Sequence, residues 1–331
     1  MRQRTHVLFL AILLGGILPV FLFTVLQKRG QVIPNVIPKE TSTNILPSMI
    51  QFAEKEPIFP KERSISVLMS SGEVLDMNLS TYITAVVLKE MPASFEVEAL
   101  KAQAVVARTY ALRQQISGNK HRNAAVCTNP ACCQGFCSQA DYLSAGGEQI
   151  MLDRVIQAVH DTENLVLTYD GKLIEATYFS CSGGKTEDAR AVWGADVPYL
   201  QSVVSPGEES SAYYVNTVRF TFDEFAAHLG IDINCSASEW LGEVTYTEGG
   251  GVETIEIAGN TYTGTDLRKR LGLHSTAFVI TIVGDTVTIT SKGFGHRVGM
   301  SQYGAEAMAV NGSTYEEILK YYYQGTELVN Y

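Results

Sequence analysis

The hydrophobic pattern divides the chain into an apolar N-terminal run, a proline-rich stretch and a long region of short alternating elements. Residues 7–26 carry no charge, and this is about the length of a helix that spans roughly 30 Å of hydrocarbon. Half of the ten prolines fall within residues 28–60, and such a density disfavours both helix and sheet. From about residue 63 the pattern predicts ordered structure.

The apolar N-terminal run is interpreted as a membrane anchor. Arg2 and Arg4 precede it, so the positive-inside rule predicts a cytoplasmic N-terminus and an extracytoplasmic body. A cleaved signal peptide is the alternative, although its apolar region is usually shorter. We therefore expect a cytoplasmic tip and transmembrane helix over residues 1–27, a tether over 28–60 and a folded body over 61–331.

The alternation of apolar and polar residues predicts the first ordered elements, and one proline predicts where the first helix ends. Residues 63–70 and 73–80 alternate as two strands separated by a Ser-Gly-Glu turn, and residues 79–90 have a helical pattern. Pro92 disfavours helical backbone at the residue before it, so this helix should end near Glu90. Ser94 is a candidate N-cap for the next helix, which carries an apolar stripe.

The remaining pattern mixes short strands with short helices. The Asp-Gly at 170–171 and the Gly-Asp at 284–285 each predict a β-hairpin. Residues 301–310 and 314–325 are typical of two helices that end the chain. Without regular alternation of helix and strand, the expected class is α+β, with mainly antiparallel strands and two lobes around a cleft. Residues 205–275 are the candidate second lobe.

Composition narrows the functional classes. The 331-residue chain is 46% hydrophobic, which excludes wholesale disorder, and its formal net charge is −10. A strongly negative chain is a poor match for a nucleic-acid backbone, so no nucleic-acid partner is expected.

Glu90 is a candidate general acid. Apolar residues 86–88 precede it and Met91 follows, and the predicted helix end adds the negative pole of the macrodipole. Desolvation and nearby negative charge both raise a carboxyl pKa, as a general acid near neutral pH requires. The alternative is a solvated glutamate beside Lys89.

One histidine and four cysteines lie close together in the sequence: His121, Cys127, Cys132, Cys133 and Cys137. An extracytoplasmic location permits disulfides, but the adjacent cysteines do not pair easily with each other. Structural zinc takes four Cys or His ligands. Zinc, disulfides and free thiols all remain open on this pattern. Cys181 and Cys235 are isolated and are interpreted as small buried apolar residues.

Three stretches, at residues 82–112, 178–200 and 292–309, resemble the stage II sporulation protein D family, which is also grouped with amidase-enhancer proteins. The resemblance covers residues 63–331 in matching order. It implies a peptidoglycan lytic transglycosylase that acts in engulfment during sporulation. It also implies that Glu90 is the catalytic residue, since it occupies the Glu-Met-Pro position of the family motif.

The implied reaction explains why one carboxylate is enough. Ordinary glycosidases use a pair of carboxyl groups. A lytic transglycosylase needs no activated water, because the C6 hydroxyl of N-acetylmuramic acid attacks its own C1 and gives a 1,6-anhydro product. The acid that protonates the glycosidic oxygen then accepts the proton of that hydroxyl.

Two glycine-rich stretches, residues 180–188 and 293–304, are candidate walls of the cleft, although each is also compatible with a plain turn. Trp193 and Tyr303 are candidate stacking platforms for sugars, and an aromatic residue in the core is the alternative. The family usually has glycine at the position of Arg297. The resemblance favours substrate contacts from Ser180, Ser182, Gly183, Gly184, Lys185, Thr186, Glu187, Trp193, His296, Ser301, Gln302 and Tyr303.

Some clostridial relatives carry a similar histidine–cysteine pattern and bind zinc. The resemblance implies a Cys3His structural site made of His121, Cys127, Cys132 and Cys133, in which Cys132 replaces a second histidine. Cys137 is an additional cysteine that could substitute for one ligand. Four protein ligands leave no position for a catalytic water, which disfavours a zinc-dependent hydrolase.

Two functions of different classes follow. The first is a membrane-anchored lytic transglycosylase, and the second is a peptidoglycan-binding protein that enhances a partner amidase without cutting glycan. The resemblance further implies two partners, a sporulation amidase-endopeptidase that removes stem peptides and a membrane scaffold protein. Analysis of the product ends distinguishes the two functions.

Overall fold

The arrangement of helices and strands was determined from a computed structural model, which describes residues 63–118, 120–231 and 240–331. The helices are α1 (Leu79–Glu90), α2 (Val97–Ser117), α3 (Gln139–Ser144), α4 (Gln149–Asp161), α5 (Ala189–Trp193), α6 (Phe222–Leu229), α7 (Gly264–Leu271), α8 (Gln302–Val310) and α9 (Tyr315–Tyr322). The strands are β1 (Ser64–Leu68), β2 (Val74–Asn78), β3 (Val126–Cys127), β4 (Leu165–Tyr169), β5 (Lys172–Leu173), β6 (Tyr178–Phe179), β7 (Val215–Thr221), β8 (Leu241–Tyr246), β9 (Val252–Ile257), β10 (Asn260–Thr263), β11 (Phe278–Val283), β12 (Thr286–Lys292), β13 (Met300–Ser301) and β14 (Glu327–Asn330).

The described strands form small sheets with the orders β2-β1-β3, β10-β9-β8, β11-β12-β7, β13-β6 and β14-β4-β5. Most neighbours are antiparallel, while β1 with β3 and β6 with β13 are parallel. The expected mixture of helices with mainly antiparallel strands is therefore confirmed. The parallel β6–β13 pair matters most here, because β6 leads directly into the first glycine-rich stretch and β13 lies in the second.

Helix α1 begins and ends where local chemistry predicts. The Asn78 side chain accepts hydrogen bonds from the backbone N–H groups of Ser80 and Thr81, so the first turn is capped. At the other end Met91 is extended (φ −123°, ψ 146°), as the following proline requires. The helix therefore ends at Glu90, and its buried residues 82–88 fix the last turn in the core.

Helix α2 begins later than the sequence suggested. The prediction of Ser94 as its N-cap is wrong, since Glu96 holds that position and Val97 is the first helical residue. Ser94 instead lies in a turn closed by the hydrogen bond from Phe95 N–H to Pro92 O (3.0 Å). The Glu96 N–H donates to the Glu306 carboxylate at 2.6 Å, a contact across 210 residues that fixes the start of the helix.

Helix α2 lies in the middle of the main hydrophobic core. Residues 99, 100 and 102–112 of this helix are buried, including the charged side chain of Arg108. The guanidinium of Arg108 donates to the carbonyls of Val159, Thr162 and Leu165. Because the last carbonyls of α4 have no partners within that helix, this arginine caps α4 and ties it to α2.

The two predicted hairpins are present. Strands β4 and β5 pair around Asp170 and Gly171, which both have positive φ (48° and 70°), as a type I′ turn requires. Strands β11 and β12 pair over residues 278–291 around the Gly-Asp at 284–285. The second arm of the first hairpin is short, because the chain leaves β5 and enters the β6–β13 pair.

A second hydrophobic core gathers apolar side chains from β7 to β12, among them Phe225, Trp240, Ile257 and Ile289. Its members come from residues 225–289, beyond the end of the lobe proposed at 205–275. The division of the body into two lobes stays a prediction.

The predictions of an N-terminal anchor and a tether fall on residues 1–60, and Cys235 falls in 232–239, all outside the described residues. Among the helices that the structure does describe, none combines the length and the apolar character needed to cross a membrane.

Candidate active site

Glu90 lies at the wall of a cavity of about 280 Å³. Helix α1 brings the carboxyl there by ending at this residue. Residues of β6 and of the stretch 294–296 form further parts of the wall, together with Gln302, the first residue of α8. The cavity therefore joins the carboxylate to residues from both glycine-rich stretches.

Three hydrogen-bonding groups face the Glu90 carboxyl. The backbone N–H of Gly135 donates to its Oε1 at 2.6 Å. The side chains of Tyr178 and Gln302 are also directed at it. Burial raises the pKa of this carboxyl above its usual range, and it is the largest influence. The three hydrogen-bonding groups and the positive charge of Lys89 oppose that shift.

A chain of hydrogen bonds fixes the groups around the carboxyl. The Tyr82 hydroxyl donates to Gln134 Oε1 at 3.2 Å, and Gln134 Nε2 donates to the Tyr178 hydroxyl oxygen, also at 3.2 Å. Because the Tyr178 oxygen accepts from Gln134, its own proton is free to be donated to Glu90. Burial raises the pKa of Tyr178, so this hydroxyl stays protonated.

His296 is a neutral ring in the wall of the cavity. Burial lowers its pKa to about 4, and the positive charge of Arg268 acts in the same direction. Its Nδ1 accepts a hydrogen bond from the Val298 N–H at 3.1 Å, so the ring proton is on Nε2. The ring packs between Phe179 and Trp193, with centroid distances of 5.7 and 5.3 Å.

Gly135 is a site residue that sequence reasoning missed. A Cβ at this position would lie 2.6 Å from Lys89 Cγ and 2.9 Å from Glu90 Oε1. Only glycine therefore lets the loop approach the end of α1 closely enough for its N–H to reach the carboxylate. The sequence signal was a glycine two residues after Cys133, but nothing local linked it to Glu90.

The structure separates the predicted substrate-binding residues into two groups. Ser180, His296 and Gln302 line the cavity with Glu90. Ser182, Thr186, Glu187 and Ser301, in contrast, are fully buried and make hydrogen bonds within the protein.

Glu208, which no sequence motif selected, contacts Ser182 and Ser301 of the second group. Its side chain is buried, and Oε2 accepts from the N–H groups of Ser182 and Gly183 and from the Ser182 hydroxyl at 2.8–2.9 Å. Its Oε1 accepts from the hydroxyls of Ser205 and Ser301 at 2.7 and 2.6 Å. Since Ser301 is the N-cap of α8, Glu208 fixes the start of the helix that carries Gln302.

Arg297 links the two glycine-rich stretches to the turn between β8 and β9. Its guanidinium donates to the Glu187 carboxylate at 3.2 Å and to the Gly249 carbonyl at 2.7 Å. It also donates to the carbonyls of Ser182 and Lys185. Arg297 has a positive φ of 66°, a conformation that favours glycine, and this network of buried hydrogen bonds holds it there.

The paired glycines at 183–184 serve a close approach between protein segments. A Cβ on Gly183 would lie 2.7 Å from the backbone of residues 292–293, so the two glycine-rich stretches touch at this point. Lys185 is not part of the cavity wall, and its Nζ donates to the Glu248 carbonyl at 2.8 Å.

The two candidate stacking platforms lie in different surroundings. Trp193 is 47% exposed and contacts the His296 ring. Tyr303 is half-buried between Phe95 and Tyr213, with centroid distances of 5.2 and 6.0 Å.

His121, Cys127, Cys132 and Cys133 form a group that could hold a metal ion. Their ligand atoms all lie within 4.8 Å of one another. His121 Nε2 is 3.3 Å from Cys133 Sγ and 3.8 Å from Cys132 Sγ. Zinc–ligand bonds of about 2.0–2.3 Å put tetrahedral ligand atoms roughly 3.5–3.8 Å apart, so the donor set fits such an ion with small adjustments.

Cys137 is not a member of this group, and its backbone N–H donates to the Ala85 carbonyl at 3.0 Å. None of the cysteines that the structure describes is in a disulfide. Cys181 is buried, as expected, and its Sγ donates to the Glu208 carboxylate at 3.2 Å.

Comparison with known proteins identifies the family. The family model described as "SpoIID: Stage II sporulation protein" matches residues 70–169, which include Glu90 and the metal-binding group. The stage II sporulation protein D of Bacillus subtilis is 41% identical over 271 residues, which cover 80% of this chain and 78% of the relative. That of Bacillus amyloliquefaciens is 39% identical over 276 residues, covering 81% and 80%.

The chain belongs to the stage II sporulation protein D family. The resemblance inferred from three sequence stretches is thereby confirmed, and with it a place among sporulation proteins. A further relative in Bacillus subtilis is named "Amidase enhancer". It is 28% identical over 302 residues, covering 75% of this chain and 40% of the relative.

Proposed function

We propose that this member of the stage II sporulation protein D family is a peptidoglycan lytic transglycosylase in which Glu90 is the single acid and base. One observation carries the proposal: a carboxyl whose pKa burial raises lies in a cavity, held by a hydrogen bond from the Gly135 N–H. A carboxyl that keeps its proton toward neutral pH can act as a general acid.

In the first step Glu90 donates its proton to the glycosidic oxygen between N-acetylmuramic acid and N-acetylglucosamine. The bond between C1 and that oxygen breaks, and positive charge develops at C1. The leaving sugar departs with the new hydroxyl. The Glu90 carboxylate that remains is stabilised by the Gly135 N–H and by the donors of Tyr178 and Gln302.

In the second step the C6 hydroxyl of the muramic acid attacks C1, and Glu90 accepts the proton of that hydroxyl. A C1–O6 bond forms, the product ends in a 1,6-anhydro ring, and Glu90 returns to its acid form. No water and no second carboxylate are required. In keeping with this, Glu90 is the only Asp or Glu on the cavity wall within the described part of the chain.

The metal-binding group is proposed to hold zinc as a structural ion. Bound zinc would fix the positions of its four ligands, His121, Cys127, Cys132 and Cys133. Cys133 lines the cavity, and Gly135 follows it by two residues. The position of the Gly135 N–H, and with it the hydrogen bond to Glu90, therefore depends on the conformation of the metal-binding loop.

The second candidate is a non-catalytic peptidoglycan-binding protein that enhances a partner amidase. The relative named "Amidase enhancer" supports it. The carboxyl in a cavity, with a pKa that burial raises, favours the enzyme, since binding alone does not require such a group there.

The proposed setting is the outer side of a membrane, with residues 7–26 as a single anchor and the N-terminus in the cytoplasm. There the protein would thin septal peptidoglycan during engulfment. The proposed partners are an amidase-endopeptidase that removes stem peptides and a membrane scaffold protein.

The experiment that tests the proposed function is mass spectrometry of denuded glycan strands after incubation with the purified full-length chain. Products with 1,6-anhydro ends support transglycosylation. Products with reducing ends would indicate hydrolysis, and binding without cleavage would indicate the enhancer.

A further inference from the structure

Two pairs of aromatic side chains adjoin the cavity that holds Glu90. Phe294 and His296 are both on its wall. Phe294 contacts Tyr213, with ring centroids 5.1 Å apart, and His296 contacts Trp193 at 5.3 Å. Aromatic side chains therefore extend outward from the cavity wall at two places, at Phe294 and at His296.

The outer rings are exposed although they are large and apolar. Tyr213 is 41% exposed, Phe294 38% and Trp193 47%. Tyr213 and Phe294 adjoin each other, and grouped exposed apolar surface marks a binding site more often than isolated exposed residues do.

The backbone holds these rings in place. The N–H of Phe294 donates to the Cys181 carbonyl at 2.7 Å, and the Cys181 N–H donates to the Phe294 carbonyl at 3.2 Å. The segment that carries Tyr213 is fixed next to Phe294 by the hydrogen bond from Gly293 N–H to the Tyr214 carbonyl, at 2.9 Å. Trp193 is the last residue of α5, whose first turn is capped by the Asp188 side chain. Rings that are fixed before binding lose little entropy when a ligand covers them.

The cavity by itself holds only a small part of a polymer. Its volume of about 280 Å³ lies just below the range of small-molecule sites, which span roughly 300–1,000 Å³. A glycan strand that places one glycosidic bond at Glu90 must continue outside the cavity in both directions. The surface it meets at the wall residues Phe294 and His296 is aromatic.

We infer that Tyr213 with Phe294, and Trp193 with His296, bind pyranose rings of a glycan strand on either side of the sugars in the cavity, so that the protein recognises strands longer than a disaccharide. This inference rests on the proposed function. Pyranose rings suit these positions because the C–H groups on one ring face are apolar and stack on an aromatic face. Their hydroxyl edges stay in water, which suits rings that are only partly buried.

The test uses the full-length chain with Glu90→Gln, so that binding is measured without cleavage. Calorimetry compares a denuded disaccharide with a denuded octasaccharide. Tyr213→Ala and Trp193→Ala should each weaken octasaccharide binding by about tenfold and leave disaccharide binding within about twofold. Tyr213→Phe keeps the ring and should bind both fragments as the parent does.

Tyr246→Ala is the matched control, since Tyr246 is 55% exposed and lies on β8. It should leave both affinities unchanged. Equal affinities in the parent and the two alanine variants would overturn the inference, as would equal losses for both fragments. Absence of binding to either fragment would also overturn it. Selective loss of binding to a free stem peptide would instead assign these rings to peptide recognition.

The proposed function and the inference about the aromatic pairs are contradicted by different results. If the unmodified chain released no products with anhydro ends, the proposed function would be wrong. If the Glu90→Gln chain bound the disaccharide and the octasaccharide equally well, only the inference about the aromatic pairs would be wrong.

Discussion

The backbone N–H of Gly135 donates to the carboxylate of Glu90 at 2.6 Å, across 45 residues of sequence. Gly135 follows the metal-binding group by two residues, and Glu90 ends helix α1. One hydrogen bond thus connects the loop that could hold a metal with the residue proposed to carry the chemistry.

Gly135→Ala should strongly lower the rate of glycan cleavage while changing the melting temperature only slightly. The added methyl would meet Lys89 and Glu90 at 2.6 and 2.9 Å, so the loop must withdraw its N–H from the carboxylate. A displacement of about 1 Å at a catalytic group can cost roughly 100-fold in rate. Release of anhydro ends and thermal unfolding, measured on the same preparation, check this. An unchanged rate would mean that the hydrogen bond has no part in catalysis.

Activity should fall as pH rises through the pKa of Glu90, which burial places above the usual range of a glutamate. The acid form is the active form, so a raised pKa extends activity to higher pH. The charge of Lys89 lowers this pKa, and Lys89→Met should therefore move the alkaline limb of the pH–rate profile upward. Lys172→Met, another exposed lysine, is the control. A limb that stays in place in Lys89→Met would contradict the assignment.

The same pKa shift predicts a pH dependence of stability. The folded protein holds the Glu90 proton to higher pH than the unfolded chain does, because burial raises the pKa in the folded state. The resulting stabilisation is complete below the unfolded pKa and is lost as pH rises through the folded pKa. Urea unfolding across that window should show a smaller decline in Glu90→Gln than in the unmodified chain. Parallel declines would show that Glu90 titrates normally.

Loss of one metal-group cysteine should remove the metal and the activity together. Cys132→Ser takes away one of four ligands, and we expect reduced zinc content, a lower melting temperature and little cleavage. Cys137→Ser is a close control, because Cys137 lies in the same loop but outside the group. Elemental analysis measures the metal directly. Equal zinc content in Cys132→Ser and the unmodified chain would exclude Cys132 as a ligand.

Glu208→Gln should destabilise the fold, and Glu209→Gln should not. The Glu208 carboxylate accepts hydrogen bonds from Ser182, Gly183, Ser205 and Ser301. Glutamine replaces one accepting oxygen with an NH2 group, which would face some of these donors and could not accept their hydrogen bonds. We expect a loss of about 2–3 kcal/mol in the free energy of unfolding. Glu209 is exposed and serves as the control. Equal unfolding free energies for the two variants would contradict the role given to Glu208.

Local signals in the sequence predicted much of the fold. Pro92 determined where α1 ends, and the Asp-Gly at 170–171 predicted its hairpin, because each effect acts between neighbouring residues. The start of α2 was missed since it depends on Glu306, which is 210 residues from Glu96. A capping serine at position 94 could not reveal that contact.

The site was predictable to the extent that family motifs mark it. Those motifs selected Glu90, and the same stretches contain Ser180, His296 and Gln302, which the structure places in one cavity. They did not select Gly135 or Glu208, whose partners are brought near only by the folded chain. Nor could they separate cavity-lining residues from buried ones such as Glu187, because both kinds are polar and lie in the same glycine-rich stretch.

The most direct test of the central claim is the effect of Glu90→Gln on the release of 1,6-anhydro ends from denuded glycan strands. Gln has nearly the same shape but neither donates an acidic proton nor accepts one. The account predicts that anhydro products disappear in Glu90→Gln while binding to the strands persists, and that the exposed-site control Glu73→Gln cleaves normally. Full cleavage by the Glu90→Gln chain would contradict it.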